Sequence, residues 1–316
     1  MRELHLIVPG LAPWRVSPHG ERVSLPGLGR LLARGVEMGG ETNLADALCS
    51  AFDFPPHGPL AFATAVHDGL NADSGYWLRA DPVHLQVGMR GLTLLDAERV
   101  GLSQAESEAL AASLMPLFEE AGWRLFAPTP ARWYGHPAQA LELRTTPLDQ
   151  VATRHVHSAL PAGPDAALAM RLVNDAQILL HDHPVNQARE RQGLAAINSL
   201  WLWGGGEKAK PGRRFDLVQA GQVEAQALAR LSGSPHAYCP TDLHDLPHAA
   251  SALLLTPEFP PHATAAEAAH LDVAWFTPLL KHLRHGRIRR AVLTLCGPEG
   301  GSVRLGMGDA WKLWVG

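Results

Sequence analysis

Apolar positions follow two spacings along the chain, and their alternation predicts a fold of mixed strands and helices. The run Leu4–Val8 is short and apolar and ends at Pro9–Gly10, the pattern of a buried strand followed by a turn. From Ser103 to Ala121 the apolar residues instead recur at helical spacing, and Glu106 follows Ser103 as in a capping box. Similar runs predict strands at 77–85, 92–95, 124–127, 140–144, 200–203, 252–255, 290–295 and 303–305, and helices at 26–35, 44–54, 165–181, 221–231 and 265–285.

The order of these elements predicts the architecture. Strands that alternate with helices across short turns indicate an α/β fold, with a mostly parallel sheet flanked by helices. The tract 72–160 is richer in strand pairs, so we expect it to form a smaller inserted α+β domain. Residues 1–71 and 161–316 would then form the α/β domain around it. A chain of 316 residues is long enough for two such domains.

Composition mainly excludes classes of partner. Apolar residues make up 46% and charged residues 18% of the chain, which are globular values, and the net charge is -4. That charge argues against nucleic acid or an anionic membrane as a partner, and no apolar run reaches the roughly 18 residues of a membrane helix. The first apolar run is also too short for a signal peptide. Three distant cysteines favour a reducing compartment over a disulfide framework, so we expect a cytoplasmic protein.

Seventeen histidines raise the question of a metal site. His181 and Asp182 stand where a predicted helix meets Pro184, and His236 and His244 lie in a proline-interrupted tract. Imidazoles and carboxylates are suitable metal ligands. The spacing is irregular, however, and differs from the i, i+4 pattern of ligands on a helix. A helix end at His181 and an ordinary loop around His236 are the alternative interpretation.

Side chains suited to an anion cluster between residues 183 and 206. Guanidinium and amide groups are good donors to phosphate or carboxylate, and consecutive glycines after an apolar strand bring bare amides close to an anion. A solvated helix face and a tight strand-to-loop turn are the alternatives. The predicted ligand-binding residues of this segment are His183, Asn186, Arg189, Asn198, Gly204, Gly205 and Gly206.

The same segment resembles a known family. Residues 178–206, with His183-Pro184-Val185-Asn186 and the final three glycines, resemble the archaeal-type cofactor-independent phosphoglycerate mutases, and the likeness covers roughly residues 76–233. The whole chain also resembles the bacterial RpfE-like regulatory proteins, related to those mutases, through residues 77–85 and Arg132-Trp133-Tyr134 among others. The resemblance implies an alkaline-phosphatase-like fold, with Arg79 and Arg132 as further donors to a phosphorylated ligand.

The departures from the mutase pattern shape the functional prediction. Those enzymes hold two divalent metals with Asp and His and pass the phosphoryl group through a serine. Their first strand ends in Asp-Gly, whereas this chain has Pro9-Gly10, and their late Asp-His is replaced by Cys296-Gly297. The Asp-Pro-His stretch of the inserted domain corresponds to residues 153–157, and the position of the nucleophile falls near Thr42.

The resemblance and the departures together predict a catalytically degenerate, phosphoglycerate-mutase-like protein without a cofactor. It would bind a phosphorylated small molecule or a protein partner in a regulatory role. The alternative is an active metal-dependent 2,3-bisphosphoglycerate-independent phosphoglycerate mutase or phosphatase. In that alternative Thr42 is the candidate nucleophile, two Mn or Zn ions are bound, and the histidine-rich tracts around His181 and His236 supply ligands.

Overall fold

The computed structural model describes residues 1–10, 23–39, 43–55, 58–72, 74–88, 91–151, 159–210, 212–259, 264–297 and 300–311. The chain forms two compact units. The first, called here the parallel unit, comprises Met1–Pro56 and Pro211–Gly316. The second, the antiparallel unit, comprises His57–Lys210.

Strands and helices are numbered in chain order. The strands are β1 (Glu3–Val8), β2 (Val36–Gly39), β3 (Tyr76–Gly88), β4 (Gly91–Asp96), β5 (Trp123–Thr129), β6 (Arg132–Pro137), β7 (Ser199–Glu207), β8 (Leu217–Gln219), β9 (His236–Ala237), β10 (Ser251–Leu255), β11 (Arg290–Leu295) and β12 (Gly301–Gly306). The helices are α1 (Pro26–Arg34), α2 (Leu44–Ala51), α3 (Leu60–His67), α4 (Gln104–Glu120), α5 (Leu148–Val151), α6 (Ala166–His181), α7 (Pro184–Arg191), α8 (Val223–Ser232), α9 (Ala265–Leu271) and α10 (Thr277–Arg284). None of them is both long and apolar enough to cross a bilayer.

The parallel unit is built on a seven-stranded sheet with the order β2-β12-β11-β1-β10-β8-β9. The strands from β11 to β9 run parallel, and β12 and β2 extend the sheet in antiparallel fashion. Leu4, Leu6 and Val8 of β1 are buried in a core shared with Leu28 and Leu31 of α1. This architecture confirms the predicted mostly parallel sheet flanked by helices.

The predicted helix at 265–285 is interrupted by one π-helical segment, Asp272–Phe276, between α9 and α10. The carboxylate of Asp272 is buried and accepts hydrogen bonds from the amides of Gly27 (3.0 Å) and Leu28 (2.8 Å). α1 has no side-chain cap of its own, so Asp272 satisfies its first free amides from a distance in sequence. Helical periodicity alone does not reveal such a capping contact.

In the antiparallel unit, β3 is the central strand. It pairs with β4, β6 and β7, and β6 also pairs with β5, all antiparallel. Residues of α4 and α6, including Leu110, Leu114 and Leu172, pack with this sheet in a second core. α4 begins with the predicted capping box of Ser103 and Glu106.

The boundaries of this unit differ from the predicted insertion at 72–160. The compact unit extends in both directions because β7 pairs with β3 along residues 76–83 and α3 packs on both strands. The strand predicted at 140–144 is absent from the described residues, where one bridge joins Arg144 to Ala162. The partner of β5 is instead the neighbouring β6, and α3 and α7 were not predicted as helices.

Candidate functional site

The carboxyl ends of the parallel strands form the edge at which open α/β sheets bind ligands, beside the point where strand order reverses. In this sheet β1 lies between β10 and β11. The amide of Thr256, after β10, donates to Ile7 O at 3.0 Å, and the amide of Cys296, after β11, donates to Val8 O at 2.9 Å. These bonds continue the strand pairing up to the edge.

The turn after β1 offers no side-chain ligand for a cation. Pro9 accepts a hydrogen bond from the amide of Phe259 at 3.0 Å. Gly10 has a φ of +74°, and a Cβ atom there would lie 2.5 Å from Phe259 O. The turn therefore packs directly against Phe259, in the segment that follows β10.

Among the described residues directly after β11, Cys296 is buried and Gly297 has no side chain, so neither an Asp nor a His stands there. Throughout the described ranges, no three His, Cys, Asp or Glu side chains gather in a group that could hold a metal ion. The side chains described at the two turns do not fit the pair of divalent ions that the resemblance implies. We therefore assign no step to such ions.

Two polar side chains near this edge, Cys239 and Thr256, are bound within the protein. The thiol of Cys239 donates to Leu255 O at 2.6 Å, and burial raises its pKa to about 11, so it stays protonated at neutral pH. The hydroxyl of Thr256 donates to Pro257 O at 3.0 Å. Neither side chain has the partner base that would activate it as a nucleophile among its described contacts.

The position proposed for a nucleophile, Thr42, lies outside the described residues. Its neighbour Asn43 caps α2: its Oδ1 accepts from the amide of Asp46 at 2.7 Å, and its Nδ2 donates to the Asp46 carboxylate at 2.6 Å. Residues 153–157, matched to the inserted Asp-Pro-His stretch, are likewise outside the described ranges.

In the antiparallel unit the predicted donor Arg79 is paired with a carboxylate. Its Nε and Nη2 donate to the two oxygens of Asp81 at 2.9 and 2.8 Å. Asp81 also accepts from the indole of Trp203 at 2.6 Å, and the Arg79 guanidinium lies over that ring at 4.9 Å. Burial raises the pKa of Asp81, and the bonds from Arg79 and Trp203 oppose the rise.

A second predicted donor, Arg132, makes a bidentate pair with Asp68. Its Nε and Nη2 each lie 2.8 Å from one oxygen of that carboxylate, and the hydroxyl of Tyr134 donates to it at 2.6 Å. Burial alone would raise the pKa of Asp68, but the bonds from Arg132 and Tyr134 outweigh it and lower the pKa. Burial of the Tyr134 hydroxyl, together with the negative charge of Asp68, raises the pKa of Tyr134.

The third predicted arginine, Arg189, is buried and joins three chain segments. Its Nε donates to Ala195 O at 2.8 Å, its Nη1 lies 3.0 Å from both oxygens of Glu106, and its Nη2 donates to Val100 O. Glu106 belongs to the capping box of α4, so Arg189 ties α7 to the start of that helix. Its hydrogen bonds are structural ones.

The predicted amide donors are also satisfied by backbone. Asn186 donates to Leu180 O and Ile197 O, both at 2.7 Å, and accepts from the Ile197 amide at 2.9 Å. The side chain of Asn198 accepts from the Leu85 amide at 2.7 Å and donates to Leu85 O at 2.9 Å. It thereby continues the pairing of β7 with β3 by one side chain. His183 is the cap of α7, with its Nδ1 accepting from the Val185 amide at 3.2 Å.

The sequence predicted a loop at the three glycines, and this was wrong. They lie in β7, with Gly206 paired to Trp77 of β3. A Cβ atom on Gly205 would overlap the hydroxyl of Tyr76 and lie 2.7 Å from Leu78 Cδ1. Gly204 has a φ of +66°, beside a register shift in the pairing. These glycines allow close packing between strands and present no loop of free amides.

The candidate metal ligands are separated into small pairs. His181 and Asp182 are exposed with 4.0 Å between Nε2 and Oδ1, and His244 lies 3.0 Å from Asp242. His236 is exposed on β9. Within the described chain no third ligand completes a cluster with any of them.

The carboxylates that pair with the arginines were not among the predicted site residues. A strand period of two places Arg79 and Asp81 on one face of β3, so that pair had a readable signal. Asp68 and Glu106 are distant in sequence from their arginines, and no local pattern predicts those contacts.

Comparisons with known proteins agree with the fold. No protein-family model matches the chain. The 2,3-bisphosphoglycerate-independent phosphoglycerate mutase of Methanosarcina barkeri is 26% identical over 210 residues, 55% of this chain and 52% of that protein. The corresponding enzyme of Methanothrix thermoacetophila is 38% identical over 61 residues, 19% of this chain and 16% of its own length. The matched regions thus span about half of these relatives or less.

A solved structure extends the likeness to nearly the whole fold. The structure of PH0037 protein from Pyrococcus horikoshii superposes with a TM-score of 0.52 at 16% identity, covering 96% of this chain and 87% of that one. The sequence matches support homology with the cofactor-independent phosphoglycerate mutases, of the archaeal type with an alkaline-phosphatase-like fold.

Proposed function

We propose that this protein is a catalytically degenerate relative of those mutases that binds a phosphorylated ligand without turning it over. One observation carries the proposal: the turns after β1 and β11 have Pro9-Gly10 and Cys296-Gly297 where the resemblance expects Asp and His. Two-metal phosphoryl transfer depends on ions that neutralise the phosphate and lower the pKa of the nucleophile. Pro9 and the two glycines have no ligand atom in their side chains and Cys296 is buried, so the described turns supply neither an Asp nor a His.

The binding role rests on the antiparallel unit. Arg132 is the most accessible of the three arginines predicted as ligand donors, with 20% of its side chain exposed, and a guanidinium binds phosphate through parallel hydrogen bonds. We therefore assign a phosphorylated small molecule as the ligand. The resemblance to RpfE-like proteins suggests a regulatory role for that binding, and a protein partner in its place is the competing outcome.

The first experiment measures turnover and binding together. Wild-type protein is supplied with Mn²⁺ or Zn²⁺ and assayed for interconversion of 2- and 3-phosphoglycerate and for hydrolysis of an aryl phosphate. We expect no turnover above that of the metal ions alone. Calorimetry with 3-phosphoglycerate is expected to give binding that Arg132→Gln weakens at least tenfold.

Arg171→Gln is the matched control, because Arg171 lies in the same unit, is highly exposed and makes only a long 3.9 Å contact to Asp175. It should leave binding unchanged. Metal-dependent turnover would refute the degenerate reading and support an active mutase or phosphatase. Absence of phosphoglycerate binding would instead remove the assigned ligand and favour a protein partner.

A further inference from the structure

The three arginines predicted as ligand donors in the antiparallel unit each face a carboxylate, but their surroundings differ. The side chains of Arg79 and Arg189 are only 4% and 1% exposed. Arg132 is 20% exposed, whereas its partner Asp68 is only 3% exposed. A ligand that approaches Arg132 therefore meets a guanidinium whose Nε and Nη2 groups already donate to Asp68.

The contacts around Asp68 are those of an oxyanion site. Two parallel N–H groups of Arg132 bind its two oxygens at 2.8 Å, and the hydroxyl of Tyr134 adds a third donor at 2.6 Å. A bidentate guanidinium with a neighbouring hydroxyl is an arrangement that recognises phosphate as well as carboxylate. The donors thus already have an anion-binding geometry, with a side chain of the protein as the anion.

The position of Asp68 in its own helix does not explain its presence. Asp68 is the cap residue at the carboxyl end of α3, where the helix dipole disfavours a negative charge. Gly69 follows with a φ of +86°, so the chain turns away immediately after this residue. The stabilising contacts of the carboxylate come from Arg132 and Tyr134, not from its own helix.

We propose that Arg132 and Tyr134 form a phosphate site in which the Asp68 carboxylate is the resident anion, and that phosphate must displace it to bind. This inference rests on the proposed function, because it names how the assigned ligand would enter. The competition is between two anions for the same three donors. Removing the charge of Asp68 should therefore strengthen phosphate binding.

The test compares inorganic phosphate binding to wild type, Asp68→Asn and Asp68→Ala by calorimetry at constant ionic strength. Both variants are expected to bind phosphate at least tenfold more tightly than wild type, and adding Arg132→Gln to Asp68→Asn should abolish the gain. Asp68→Asn keeps the size of the side chain and one acceptor oxygen, so it provides the test should Asp68→Ala fold poorly. Circular dichroism verifies folding.

Glu106→Gln is the matched control, because it removes the carboxylate partner of Arg189, an arginine that solvent does not reach. It should give no gain. The proposal is overturned if folded Asp68→Asn binds phosphate no more tightly than wild type, or if Glu106→Gln gains equally. Side-chain ¹⁵N NMR of wild type gives an independent readout, since phosphate should shift the Arg132 Nε–H signal and an unchanged signal would contradict the proposal.

The result is separable from the proposed function. Turnover with metal ions would refute the non-catalytic reading and leave the phosphate gain of Asp68→Asn intact. Failure of the gain, with no turnover and with 3-phosphoglycerate still bound by wild type, would refute only the role of Asp68.

Discussion

At the scale of single residues, His5 shows how burial sets a charge state. His5 lies on β1, and its Nε2 is 2.7 Å from Arg213 Nη1, so it acts as the acceptor of that hydrogen bond. Burial first and the charge of Arg213 second lower its pKa from 6.5 to about 4. The folded protein therefore keeps His5 neutral at a pH where the unfolded chain is protonated.

This difference predicts an acid-sensitive stability. As pH falls from 6.5 towards 4, the unfolded chain takes up a proton that the folded protein does not, so the free energy of unfolding decreases. Between pH 7.5 and 5 the loss from this group is about 2 kcal/mol. Urea unfolding at the two pH values measures it. His5→Gln should reduce the decrease in the free energy of unfolding by that amount. His285→Gln changes an exposed histidine and should leave the decrease unchanged. An equal decrease in wild type and His5→Gln would contradict the prediction.

The thiol of Cys239 gives a second prediction at this scale. Its raised pKa, about 11, leaves little thiolate at pH 8, and the thiolate is the reactive form. Alkylation of Cys239 in the native protein should be about a hundredfold slower than that of a free thiol. Mass spectrometry of iodoacetamide-treated protein follows the modified residue. Rapid labelling of Cys239 in folded protein at pH 8 would show that the thiol is not held as described.

At the scale of elements, Arg189 joins α7 to α4 through its hydrogen bonds to Glu106. Arg189→Leu removes the donors to the carbonyls of Val100 and Ala195 and leaves these acceptors without the arginine. The free energy of unfolding should fall by about 2–3 kcal/mol. Phosphate binding should stay unchanged in the folded variant, measured by calorimetry. A loss of binding with unchanged stability would instead assign Arg189 to a ligand site.

The packing of β7 on β3 gives a matched pair of glycine substitutions. Gly205→Ala places a methyl group against Tyr76 and Leu78 and should destabilise the protein by about 1–3 kcal/mol. Gly29→Ala, inside α1 with open space around it, should stabilise by about 0.5–1 kcal/mol. Thermal or urea unfolding of both variants tests the contrast. A harmless Gly205→Ala would show that the two strands are not packed as closely as described.

Elements with strong periodicity were predictable from sequence, and those set by distant contacts were not. The strand Glu3–Val8 and the capped helix Gln104–Glu120 were both predicted almost to the residue, since local pattern and turn residues agree there. The glycines at 204–206 were misjudged because glycine usually ends a strand, whereas here pairing with β3 continues through them. The roles of Arg79 and Arg132 as ligand donors stay predictions, and the contact of Arg132 with the distant Asp68 required the fold.

At the scale of the whole molecule, the sequence predicted the mostly parallel sheet; it also predicted an inserted α+β domain at 72–160, whereas the compact unit comprises His57–Lys210. The relationship to phosphoglycerate mutases agrees with the matched relatives. Cytoplasmic location stays a prediction. Two local features bear on function: the described turns after β1 and β11 carry Pro9-Gly10 and Cys296-Gly297 where the resemblance expects Asp and His, and the predicted donor arginines of the antiparallel unit bind the protein's own carboxylates.

Divalent metal content tests the central claim most directly. The purified protein is incubated with Mn²⁺ and Zn²⁺, desalted, and analysed by elemental mass spectrometry. Because Pro9-Gly10 and Cys296-Gly297 stand at the turns where the resemblance expects ligands, we predict less than one retained ion per chain. Two retained ions per chain would mean that a dinuclear centre is built from other residues, and the claim of lost phosphoryl-transfer chemistry would be wrong.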